Sequence, residues 1–222
     1  GRFSTVEGAL NDSVCQICPV GTYADEEGST SCIPCPAGTW SDKMGATSLS
    51  DCYHCVAGTY STEIGANSSS TCQKCPPGAY SEIPAANNES FCIPCKPGHY
   101  SNKPGANSKD DCKPCEAGRY AEGEGNTDCK SCGPGYFGNQ KGASSKDMCI
   151  ECPAGTYNFY AVSTSCSQCP AGTYSTITGS TSRDDCINCG KGYYSPVPGA
   201  SSPDTCIACP MGTYSEMEGL NT

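Results

Sequence analysis

Every cysteine in this chain stands in a C-x-x-C pair, and successive pairs are separated by only two spacings. The first members are Cys15, Cys32, Cys52, Cys72, Cys92, Cys112, Cys129, Cys149, Cys166, Cys186 and Cys206, in steps of 17 or 20 residues. So short a period marks a repeat protein, in which each unit covers its apolar side with its neighbours. Three residues past each pair comes Gly, from Gly21 to Gly212, and two further on an aromatic residue, from Tyr23 to Tyr214. A second Gly follows five residues later, as at Gly45, Gly65 and Gly105, with Ala85 and Val162 as the exceptions. The unit reads C-P-x-G-T-Y-S-x-x-x-G-A-x-S-x-x-x-C-x-x.

Composition narrows the fold further. Leu, Ile, Val and Phe make up about a tenth of the 222 residues, while cysteines alone number 22. A chain this poor in aliphatic side chains has no conventional core, and cross-links stand in for packing. Gly or Pro recurs every few residues, which excludes helix. Thr-Tyr-Ser is a short β-prone run whose ring is the one large apolar body of each unit, expected to lie against a neighbouring disulfide. The expected fold is a small disulfide-rich repeat, an elongated solenoid or rod of short β-hairpin loops. It is mostly irregular, with no helix and no globular core. Residues 1–15 read as a partial repeat and 16–222 as tandem 17- or 20-residue repeats, the last of which, 210–222, is truncated. The 17-residue units lose three residues between the second Gly and the next Cys. Compare Gly28-Ser-Thr-Ser-Cys32 with Gly45-Ala-Thr-Ser-Leu-Ser-Asp-Cys52. Length variation confined to one segment marks it as an exposed loop.

Pairs of C-x-x-C also fit a zinc ribbon or a redox motif. Only two His are present, no clustered basic face accompanies the pairs, and three N-glycosylation sequons point to a secretory route. The acceptors are Asn11, Asn67 and Asn88, all four or five residues before a Cys and so in the variable loop. Structural disulfides are therefore expected, with no metal and no cofactor. Two connectivities fit. A sequential one joins Cys18–Cys32, Cys35–Cys52, Cys55–Cys72, Cys75–Cys92, Cys95–Cys112, Cys115–Cys129, Cys132–Cys149, Cys152–Cys166, Cys169–Cys186 and Cys189–Cys206, leaving Cys15 and Cys209 without partners. A crossed one joins pairs two by two, as Cys15–Cys32 with Cys18–Cys35. The sequential pattern keeps every unit equivalent and is favoured for that reason.

Cys35-Pro-Ala-Gly-Thr-Trp-Ser41, Cys152-Pro-Ala-Gly-Thr-Tyr157 and Cys169-Pro-Ala-Gly-Thr-Tyr-Ser175 resemble the ephrin-receptor-like cysteine-rich repeat. They are also similar to the opening module of tumour necrosis factor receptor cysteine-rich domains. In that module the Cys before x-x-Gly-x-Tyr pairs with the next Cys along, which supports the sequential scheme. The extra cysteines of those receptors' crossed modules are missing here, so no specific ligand carries over. The resemblance implies an extracellular, glycosylated, multi-module protein.

A net charge of −10 with scattered basic residues disfavours nucleic acid and anionic membrane surfaces. No apolar run is long enough to span a membrane. His54 and His99 fall in unrelated units, and the acid pairs Asp110-Asp111 and Asp184-Asp185 lack further donors at a calcium-loop spacing. The sequence therefore reads as a non-enzymatic extracellular structural protein, a disulfide-stapled glycosylated rod from a stalk, surface fibre or filament. Its expected partners are glycans and its own neighbouring repeats or other copies, laterally or end to end. The alternative is a receptor or adhesion ectodomain with a protein ligand. For that reading only Cys132-Gly-Pro-Gly-Tyr-Phe137 and the unit from Cys152 to Cys166, with Asn158-Phe-Tyr160, offer an unusual patch.

Overall fold

The computed structural model describes residues 1–8 and 11–222. It divides into two compact bodies, one of Gly1–Lys96, Tyr100–Lys113 and Glu124–Thr127, the other of Pro97–His99, Pro114–Gly123 and Asp128–Thr222. Both are built from the same element. Pro-x-Gly-Thr forms a tight turn: Thr39 N–H donates to Pro36 O at 3.1 Å, and the Thr39 hydroxyl donates to the same oxygen at 2.7 Å. Gly38 occupies its third position at φ +83°, the left-handed value that a type II turn demands there. The following Thr-Tyr pair is one strand of a two-residue hairpin, and the residues inside the next C-x-x-C are the other. In the first body Thr39–Trp40 pairs antiparallel with Tyr53–His54, Trp40 opposite Tyr53. In the second, Thr173–Tyr174 pairs with Ile187–Asn188, Tyr174 opposite Ile187.

Hairpins of two residues are too short to persist alone, and the stack supplies the missing hydrogen bonds. Each repeat is named here by the Cys that opens its C-P-x-G run. From the Cys18 to the Cys35 repeat, Gly21 N–H donates to Ser41 O at 2.7 Å and Gly45 N–H to Cys18 O at 2.8 Å. From the Cys35 to the Cys55 repeat, Gly38 donates to Ser61 O, Ser41 to Ala66 O and Gly65 to Cys35 O, all within 2.9 Å. In the second body Gly155 to Ser175 O, Ser175 to Ala200 O and Gly179 to Cys152 O repeat the pattern at 2.8–3.0 Å. Backbone groups that a hairpin alone would leave open are thus paired with the neighbouring repeat.

The interior of each body is a file of small side chains with no globular core. In the first, Cys18, Cys35, Cys55, Cys75 and Cys95 are buried together with Ser41, Ser61, Ser81 and Ser101 and with Ala46, Ala66, Ala86 and Ala106. Cys132, Cys152, Cys169 and Cys189 hold the same place in the second, with Ser175, Ser195 and Ala200.

No α-helix occurs among the described residues, as expected from the recurring Gly and Pro. Single 3-10 turns of three residues do occur, such as Leu49–Asp51, Lys109–Asp111 and Arg183–Asp185, each directly before the first Cys of a pair. The loops before Cys32, Cys129 and Cys166, which close the 17-residue units, are the ones without it. The three-residue difference between unit lengths is therefore one 3-10 turn.

Candidate functional site

Of the two pairings open in the sequence, the structure holds the sequential one. Disulfides join Cys18–Cys32, Cys35–Cys52, Cys55–Cys72, Cys75–Cys92 and Cys95–Cys112 in the first body. Cys115–Cys129, Cys132–Cys149, Cys152–Cys166, Cys169–Cys186 and Cys189–Cys206 are joined in the second. Cys15 and Cys209 are free thiols here, both half-buried. The aromatic column packs on this spine. Tyr23 lies against Cys35, Cys52 and Ala46, so its ring covers the disulfide of the next repeat; Tyr120 covers Cys132 and Cys149 with Ala143 in the same way.

The variable loops sit at the edge. Apart from those at Leu49–Asp51 and Lys146–Met148, their 3-10 turns are capped by short polar side chains: Ser68 accepts from Ser70 N–H, and Ser182 from Asp184 N–H. Ser182 and Asp185 complete a capping box, in which each side chain accepts a backbone N–H at the other's end of the turn. Asp111 of one acid pair, Asp184 and Asp185 of the other, and the single Asp51 accept such local bonds. Asp111 takes Lys103 Nζ at 2.9 Å and Asn107 N–H at 3.1 Å, while Asp51 takes Lys43 Nζ at 2.6 Å and Thr47 N–H at 2.8 Å. The lysine hydrogen bond, then the backbone donor, holds the Asp51 carboxyl below the usual aspartate value; the Lys103 bond does the same at Asp111. Glu82 reaches the following repeat and accepts Lys109 N–H at 2.8 Å. No group of three His, Cys, Asp or Glu among the described residues is arranged to hold a metal.

The sequon asparagines lie in these same loops, and two of them serve as caps. Asn11 Oδ1 accepts from Ser13 N–H at 3.1 Å and Asn88 Oδ1 from Ser90 N–H at 2.9 Å, each also taking the hydroxyl of that Ser. Asn67 precedes the cap Ser68. Asn11 and Asn67 are exposed and Asn88 is half-buried. His54 is exposed on its return strand, and His99 Nδ1 lies 3.3 Å from Pro97 O.

One repeat departs from the rest. Val162 replaces the second Gly and does not take the left-handed φ that Ala85 adopts at +57°. A β-branched residue is strongly disfavoured there, and the turn is rebuilt. Gly133 N–H now donates to Ala161 O at 2.9 Å. Asn158, buried where most other repeats carry Ser, donates through Nδ2 to Tyr136 O at 2.7 Å and Tyr160 O at 3.0 Å, and accepts Tyr160 N–H at 3.0 Å. This clamp holds Phe159 and Tyr160 outward with their ring centroids 4.0 Å apart. The Pro-x-Gly-Thr turn and the Asn158 clamp escaped sequence reading. The first was visible as a Pro-to-Gly turn signature, whereas the second had only the replacement of Ser by Asn as a signal.

The family described as tyrosine-protein kinase ephrin type A/B receptor-like matches residues 8–52, 67–112, 106–149 and 145–186. No curated protein matches the chain.

Proposed function

Since the chain belongs to the ephrin type A/B receptor-like family, a cysteine-rich repeat of extracellular receptor type, we propose that it is a non-enzymatic extracellular structural array. In this reading it is a disulfide-stapled, N-glycosylated segment of a stalk, surface fibre or filament. The observation that carries the reading is the repetition of one inter-repeat bond set, Gly to Ser, Ser to Ala and second Gly to Cys, along each body. Twenty of the cysteines cross-link, Asp51, Asp111 and Asp185 brace turns, and Tyr23 and Tyr120 cover disulfides. Asn11, Asn67 and Asn88 lie on the outer loops, where glycans would not disturb the stacked face.

Electron microscopy of the oxidised chain tests the proposal. Extended particles are expected, losing their form and becoming protease-sensitive after reduction. Compact particles, or a form that survives reductant, would overturn it. Enzymatic deglycosylation of secreted material should lower its mass. A ligand-binding ectodomain is the second reading, favoured by the exposed Phe159–Tyr160 pair.

A further inference from the structure

We propose that the joint between stacked repeats carries an internal water-binding site, in which the buried Ser of one repeat and the Thr carbonyl of the preceding one hold a single water molecule. Ser81 with Thr59 forms it in the first body, and Ser195 with Thr173 in the second. The inference concerns the joint alone and goes beyond the stalk and receptor readings.

The first observation is a pair of stranded hydroxyls. Among the described residues, Ser81 Oγ, Ser180 Oγ and Ser195 Oγ are buried side-chain oxygens with no hydrogen-bond partner. Ser81 and Ser195 occupy the same repeat position, just after the aromatic residue, and are 1% and 0% exposed. At that position Ser41, Ser61, Ser101 and Ser175 accept the N–H two residues on, but only at 3.3–3.4 Å. A buried hydroxyl left unpaired is costly, and in folded proteins such groups are satisfied by protein or by ordered water.

The second observation is an open acceptor in the preceding repeat. In an antiparallel pair, residues alternate between bonding to the partner strand and pointing away from it. Cys75 N–H donates to Gly58 O at 2.9 Å, and Cys189 N–H to Gly172 O at 2.8 Å. The next carbonyls, of Thr59 and Thr173, therefore point away from their own hairpins. Among the described residues no backbone N–H outside the hairpins donates to either. The serines lie close by, because Gly58 N–H donates to Ser81 O at 2.8 Å and Gly172 N–H to Ser195 O at 2.7 Å.

The third observation is the repeat that bridges this joint without water. Asn158 takes the place of Ser and is 3% exposed. It is fixed by the same bond, Gly135 N–H to Asn158 O at 2.7 Å. Its Nδ2 reaches Tyr136 O at 2.7 Å, and Tyr136 corresponds to Thr59 and Thr173. The amide also joins both backbone groups of Tyr160, two residues on. A Ser hydroxyl ends one bond short of that amide nitrogen, and a water completes the span. Since the joint accommodates an amide in one repeat, it has the room in others. It also offers about three polar partners, the usual number for a buried water. They are the hydroxyl, the Thr carbonyl and the backbone of Ile83 or Val197, the residues that correspond to Tyr160.

A crystal structure of the oxidised 222-residue chain that resolves ordered water reads the proposal directly. One water is expected within hydrogen-bond distance of both Ser81 Oγ and Thr59 O, and another between Ser195 Oγ and Thr173 O. In solution, oxygen-17 relaxation dispersion counts long-lived internal waters. The double substitution Ser81→Asn and Ser195→Asn should lower that count by two, the new amides bonding the Thr carbonyls themselves. Asn158→Ser should raise it by one. Retention of all ten disulfides by mass after alkylation shows that a variant still folds. Serine hydroxyls bonded directly to a protein carbonyl in the wild-type crystal, with no water between, overturn the proposal. A count that folded variants leave unchanged overturns it as well.

Discussion

Gly38 lies against the backbone carbonyl of Ala85, two repeats further along, so closely that a Cβ added to Gly38 would stand 2.2 Å from that oxygen. The same contact recurs between Gly21 and Gly65 at 2.1 Å and between Gly155 and Gly199 at 2.2 Å. The first Gly of the repeat therefore does more than permit a turn, because it sets the spacing between repeats that are not sequence neighbours.

Gly38→Ala meets two penalties at once, a left-handed φ and an occupied volume. Together these should destabilise the first body by roughly 2–5 kcal/mol. Gly190, with open space where its Cβ would go, is the control, and Gly190→Ala should be near neutral. Chemical denaturation of the oxidised proteins compares them.

Ala85 marks the reverse case. It holds φ +57° where the other repeats of its body use Gly. Ala85→Gly relieves that strain, partly offset by a freer unfolded chain, for a net gain of about 0.5–1 kcal/mol. A rise in the denaturation midpoint is the expected result; a fall would mean that the methyl group packs usefully.

Deleting Leu49–Asp51 should convert a 20-residue unit into a 17-residue one, since Gly45-Ala-Thr-Ser would then lead into Cys52 as Gly28-Ser-Thr-Ser leads into Cys32. The excised residues form one exposed or half-buried 3-10 turn, and the only ion pair lost is at the surface. The Cys35–Cys52 disulfide should still form, at a stability cost below ~1 kcal/mol. Peptide mapping under non-reducing conditions reads the outcome. Removal of Thr59–Ser61, which takes out a strand and the acceptor of Gly38 N–H, should prevent folding of that repeat.

Asp51 and Asp111 predict the behaviour in acid. Their carboxyls are held below the ordinary value in the folded chain, so the stabilisation they give is fully present above the unfolded pKa. It is lost as pH falls through the depressed folded value. The protection of Cys52 N–H against hydrogen exchange, measured relative to the intrinsic rate at each pH, should fall in acid, since this group is bonded to Leu49 O at 3.0 Å within the turn that Asp51 ends. In Lys43→Gln this acid sensitivity should shrink and move toward higher pH. High salt should narrow the difference between the two proteins.

The aromatic column can be tested at its two extremes. Tyr23 is 8% exposed against a disulfide, whereas Tyr214 is 86% exposed. Tyr23→Ala should cost about 3–5 kcal/mol, in the range of buried aromatic truncations; Tyr214→Ala should cost almost nothing. Thermal unfolding of the oxidised variants separates them.

The order of Cys, Gly, Tyr and Cys along the chain determined the repeat, the absence of α-helix and the role of the ring, because each depends on residues close in sequence. The variable segment was legible for the same reason: Gly28 to Cys32 and Gly45 to Cys52 differ in that segment alone. Other features depend on which repeat lies beside which. They include the Gly38–Ala85 contact, the bonds from Gly to Ser and from Gly to Cys between repeats, and the clamp from Asn158 to Tyr136. No residue type announces a carbonyl two repeats away, because stacking geometry brings it there. Tertiary structure alone also separated the two disulfide schemes: both satisfy the same C-x-x-C spacing, and only the fold shows which sulfurs meet.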